Sequence, residues 1–147
     1  MSLDIDMDKL MRSLDDPQNE YLFKFTTNRL REMNCKMVME LRLGEEETDD
    51  ILRKLEEYRY VDEMDELKYG SYIRWICLTD PEDLFLNTGA VFCNMKICDN
   101  GVYIQCKSLR GRAFQIKMDE CMIFQKLTPQ EKVLLVALDH LVKKGKK

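Results

Sequence analysis

The chain has 147 residues, of which 45% are hydrophobic and 34% charged, with a net charge of −4. This fits one globular domain large enough to bury a sizeable core, and it excludes a disordered or collagen-like chain. Three prolines and six glycines leave no material for a long flexible linker.

Charge is unevenly placed. Residues 1–68 hold 11 basic and 19 acidic side chains, whereas residues 69–147 hold 12 basic and 8 acidic. Such halves either serve two kinds of partner or are solvated faces that attract each other. The opening MSLDIDMDKL is acidic where a secretory signal would be basic and then apolar. No apolar run approaches the roughly 18 residues of a membrane span, so an intracellular protein with no membrane partner is expected. The cysteines are Cys35, Cys77, Cys93, Cys98, Cys106 and Cys121, without a CxxC pair. Four lie in apolar, strand-like runs, which predicts reduced thiols packed as small hydrophobes. The one histidine, His140, is remote in sequence from any paired cysteines, and no metal is expected.

In chain order, Asp4–Leu14 fits a short helix ended by Asp15-Asp16-Pro17. From Asn19 to Leu43 a stripe of Leu22, Thr26, Leu30, Met33, Met37 and Leu41 recurs at helical spacing, and Gly44 is placed for a left-handed C-terminal cap. Thr48 is the expected N-cap of a further helix that buries Ile51, Leu52, Leu55 and Tyr58. At Tyr69-Gly70 the period changes to two. Strands are predicted at Tyr72–Leu78, Ala90–Cys98, Val102–Lys107, Ala113–Met118 and Cys121–Lys126, with Asn100-Gly101 as the hairpin signal. In the second strand alternation puts Val91, Cys93, Met95 and Ile97 inward and Phe92, Asn94 and Lys96 outward. Thr128-Pro129-Gln130-Glu131 reads as a capping box, and Val133, Leu134, Ala137, Leu138 and Leu141 form the apolar face of the last helix.

The expected architecture is α+β in a single domain, residues 1–147. A helical half (1–68) with a helical hairpin precedes a five-stranded antiparallel curled sheet or small barrel (69–126). A C-terminal helix with a basic tail (127–147) closes the chain.

Catalytic motifs are missing. There is no GxxxxGK[ST], GxGxxG or GxSxG, and Asp62, Glu63, Asp65 and Glu66 lack the order of a calcium loop. No enzyme activity, cofactor or small-molecule substrate is therefore expected. The outward side of the sheet is the more informative surface. Lys96, Tyr103, Lys107 and Lys117 alternate outward, with Arg110 and Arg112 in the adjoining turn. An aromatic ring among cations suits single-stranded nucleic acid, because bases stack and phosphates pair with cations. Met7, Met11, Met33, Met37 and Met39 offer a different surface, an adaptable one for protein docking.

The stretches LKYGSYIRWICL, NTGAVFCNMKICDNGVYIQCK and IFQKLTPQEKVLLVALDHL resemble small proteins without assigned activity from mimivirus-like giant DNA viruses of protists. The resemblance covers roughly the second half. It implies a protein made in the host cytoplasm, in the viral factory, or packaged in the virion, and it assigns no site residues. The leading expectation is a non-enzymatic protein-interaction or structural module, with a protein partner or self-association. The alternative is a nucleic-acid-binding small β-barrel.

Overall fold

A computed structural model describes residues 26–145. The expected helix Asp4–Leu14, the start of the next one at Asn19, Met7 and Met11, and Lys146 and Lys147 lie outside the described residues. Asn34–Lys126 form one compact unit, and residues 26–33 and 127–145 belong to a second.

Helices α1 (Thr27–Met39) and α2 (Glu45–Lys54) precede the strands β1 (Tyr58–Val61), β2 (Tyr72–Cys77), β3 (Ala90–Cys98), β4 (Gly101–Lys107), β5 (Ala113–Lys117) and β6 (Cys121–Lys126). Helix α3 (Pro129–Gly145) follows. The strands form a single antiparallel sheet in the order β1-β6-β2-β3-β4-β5.

Six strands stand where five were expected. The added one, β1, contains Tyr58, which the sequence assigns to the preceding helix. Its Tyr58-Arg59-Tyr60-Val61 pattern hides an inward position, because Arg59 shares a face with Val61 and is buried. Pairing of Tyr58 with Lys126 and Val61 with Ile123 fixes the segment as strand, so tertiary pairing overrides local helical periodicity. Helix α2 also starts earlier than Thr48. Gly44 is its extended N-cap, with Thr48 N–H bonded to the Gly44 carbonyl at 2.9 Å. The left-handed residue expected at Gly44 is instead Arg42, at φ 55°.

The sheet curls without closing into a barrel. Val61 of β1 and Phe114 and Ile116 of β5 pack on one cluster with Ile73, Trp75, Phe92, Ile104 and Ile123. Yet β1 and β5 are the two edges and do not pair with each other. On the outer face Val38 and Leu55 are fully buried with Tyr58, Ile76, Met122 and Phe124. Strand β6 is thus covered on both faces, so Met122–Gln125 is a continuous buried run instead of an alternating one.

The predicted facing of β3 fails at its first half. A bulge between Phe92 and Asn94 inserts Cys93, which turns outward and is exposed. Phe92 therefore points into the core, fully buried, with Tyr69 stacked on it at 5.1 Å. After the bulge the expected parity returns, with Met95 inward, but Ile97 near the hairpin tip is 69% exposed. Pairing of Cys98 with Gly101 makes Asp99-Asn100 the two central turn residues, one step before the expected Asn100-Gly101. Gly101 follows at φ 137°, as a positive-φ residue after a turn of ordinary hand.

In the second unit the capping box forms as read. Glu131 N–H donates to Thr128 Oγ1 at 3.1 Å, and Thr128 N–H to Glu131 Oε1 at 3.0 Å. The Asp139 carboxylate accepts both the Thr27 N–H, at 3.1 Å, and the Thr27 hydroxyl, so α3 caps the first turn of α1. Ala137 and Leu138 are buried with Leu134 and Leu141 against them, while His140 is exposed.

Candidate interaction site

The sheet register brings together three of the six residues proposed for nucleic acid. Lys96 lies opposite Tyr103, and Tyr103 opposite Lys117, so one outward row crosses β3, β4 and β5. The next row is the neutral Asn94, Gln105 and Gln115. Lys107 comes a further step along β4, beside the turn that carries Arg110 and Arg112, all exposed. The cations thus form two groups at opposite ends of β4, separated by an amide row. Phe92, read as a second outward ring, is in the core. Lys117 Nζ lies 3.8 Å from both Asp119 Oδ2 and Glu120 Oε1, and the Tyr103 hydroxyl accepts from Asn100 Nδ2 at 2.8 Å.

The β4–β5 turn is held by its own hydrogen bonds. Ser108 N–H donates to the Arg112 carbonyl at 2.9 Å, and Arg112 N–H to Ser108 Oγ at 3.1 Å. At its tip Leu109 is 80% exposed, flanked by Lys107, Arg110 and Arg112. An apolar side chain is held in water among cations on a preorganised loop.

At the other end of β4 the curl opens into a groove of about 410 Å³. Four methionines, Met37, Met64, Met118 and Met122, line it together with Val102 at the start of β4. Asp62 and Asp119 also line it, and both are exposed. Met37 and Met64 lie 27 residues apart and Met118 with Met122 lie 54 or more beyond Met64, so the fold brings three separate segments together here. Thioethers are polarizable and flexible, and they let such a groove adapt to the side chain it receives. Of the sequence-proposed docking methionines Met37 is in this groove, whereas Met33 and Met39 are exposed on α1.

The acidic loop beside the groove, which lacks the order of a calcium loop, has a structural part. Glu66 Oε2 accepts the Asp62 and Glu63 N–H groups at 2.8 and 2.9 Å, and the Glu66 carbonyl accepts from Arg59 and Gln125, both at 3.1 Å. Asp62, Glu63 and Asp65 remain exposed, and of these Asp62 lines the groove. Among the described residues no group of three or more His, Cys, Asp or Glu is placed to hold a metal ion, and no helix is long and apolar enough to cross a membrane. The chain matches no protein-family model, no curated protein and no solved structure.

Proposed function

We propose that the chain is a non-enzymatic structural module that associates with copies of itself. In this reading the β4–β5 turn of one copy docks in the methionine-lined groove of the next. The observation that carries it is complementarity: an exposed leucine among three cations at one end of β4, and an apolar groove with exposed carboxylates at the other. Strand β4 has seven residues, about 24 Å, so turn and groove cannot meet within one copy. Placing complementary patches at opposite ends gives a head-to-tail contact, which builds rings or open chains instead of closed two-fold dimers. The resemblance of the second half to giant-virus proteins supports a place in the host cytoplasm, in the viral factory or in the virion.

Sedimentation over a concentration series tests this. The wild-type chain is expected to form a ladder of species, weakened by salt because the rims are charged. Leu109→Ser and Asp62→Lys should each return it to monomer. A wild-type chain that stays monomeric at its highest soluble concentration in low salt would remove the reading.

A second reading, nucleic-acid binding, is favoured by the alignment of Lys96, Tyr103 and Lys117 in one cross-strand row. Lys107, Arg110 and Arg112 would extend it along the backbone of a single strand. The amide row between the two groups and the carboxylates beside Lys117 weigh against it.

A further inference from the structure

Cys77 and Cys121 lie directly opposite each other at the paired ends of β2 and β6. The next pair outward exchanges a backbone bond, Leu78 N–H to the Glu120 carbonyl at 2.9 Å. Antiparallel pairs alternate, so Cys77 and Cys121 occupy a non-hydrogen-bonded pair, where Cα atoms approach to about 4.5 Å and side chains come closest. That is at the short end of the range a disulfide bridges, about 4.4–6.8 Å. Both thiols are free and partly exposed. No other two cysteines are opposed in the sheet: Cys98 pairs with Gly101, Cys106 with Phe92 and Phe114, and Cys93 is the inserted bulge residue.

We propose that Cys77 and Cys121 form a reversible disulfide, closed by exchange with a low-molecular-weight disulfide such as oxidised glutathione. The Cys77 thiolate attacks one sulfur of the small disulfide. A mixed disulfide forms on Cys77, and the first small thiolate leaves with the electron pair of the broken S–S bond. Cys121 Sγ then attacks Cys77 Sγ, its proton passing through solvent to the released thiolate. The Cys77–Cys121 bond forms and the second small thiolate leaves. Two protein thiols are oxidised and one small disulfide is reduced to two thiols.

The surroundings fit this order of attack. The Thr79 hydroxyl lies 3.1 Å from Cys77 Sγ, and with the Thr79 backbone it holds the Cys77 thiol below its ordinary range. Burial, then the neighbouring Cys77, pushes Cys121 up to about 12. The second of these causes is removed once Cys77 is capped, and the cross-strand pairing already holds Cys121 opposite the mixed disulfide it must resolve. Cys121 also lines the groove, but this chemistry does not depend on what the groove binds.

The test is to incubate the full chain with oxidised glutathione, then denature it and titrate thiols. The reduced protein should show six free thiols and the oxidised protein four, with unchanged results for Cys93→Ser relative to its own reduced count. Cys121→Ser should stop at a glutathione adduct on Cys77, located by mass spectrometry, which wild type does not retain. Cys77→Ser should take up glutathione roughly tenfold more slowly at Cys121. Wild type that keeps six thiols, that retains the same adduct as Cys121→Ser, or that links another pair would overturn the proposal.

Discussion

The side-chain amide of Asn34 acts as a short extra strand for Tyr60. Its Oδ1 accepts the Tyr60 N–H at 3.0 Å, while its Nδ2 donates to the Tyr58 carbonyl at 2.9 Å. These two groups point the same way from the outer edge of β1, an edge that would otherwise offer them to another chain. Asn34 is itself only 4% exposed, so a helix residue closes this edge of the sheet.

Replacing Asn34 by Ala should therefore be costly. It leaves a buried donor and a buried acceptor on β1 without partners, each worth about 1–3 kcal/mol. A loss of roughly 2–4 kcal/mol in urea unfolding is expected. A midpoint equal to that of wild type would mean that water reaches this edge.

Met33 and Phe92 should exchange the importance that periodicity gives them. Met33 is 46% exposed, so Met33→Asp is expected to change stability by no more than about 0.5 kcal/mol. Phe92 is fully buried, and Phe92→Ala should cost about 3–5 kcal/mol. Urea midpoints of the two variants in the same buffer check both.

Stability should fall at alkaline pH. Burial pushes Cys106 and Cys121 up to about 12 from an ordinary 9.0, and it also raises Tyr58 and Tyr60. Each group holds its proton in the folded chain at a pH where the unfolded chain releases it. Their contribution is thus complete below the unfolded value and is lost as pH rises towards the folded one. The urea midpoint should decline as pH rises from about 9 towards about 12, and Cys106→Ala combined with Cys121→Ala should make the decline shallower.

Single-stranded oligonucleotides separate the two functional readings. Self-docking expects no measurable affinity even in low salt. Nucleic-acid binding expects an affinity whose salt slope drops when Arg110 and Arg112 become Ala, because fewer counterions are released. Tyr103→Ala would then cost about 1–3 kcal/mol for each stacked base and leave the slope nearly unchanged.

The elements with strong local signals were legible in the sequence. The Thr128–Glu131 box forms because its partners are three residues apart, and the alternation of β4 and β5 places Ile104, Cys106, Phe114 and Ile116 inward because strand period is local. The hairpin signal put Lys96 and Tyr103 on adjoining strands facing the same way, but their direct pairing was not legible, because the turn sits one step earlier than Asn100-Gly101. What depended on partners far along the chain was not legible. Strand β1 exists because β6 pairs with it from more than 60 residues away, and Arg59 is tolerated inside because the Glu66 carbonyl receives it. Phe92 turns inward because a bulge adds one residue, and a one-residue shift moves every side chain of a strand to the other face. The groove and the Cys77–Cys121 pair are of the same kind. The sequence determined which residues were apolar, cationic or thiol, since composition and local period are properties of the chain itself. The fold decided which of them meet, since strand order and register are fixed only when distant segments pack.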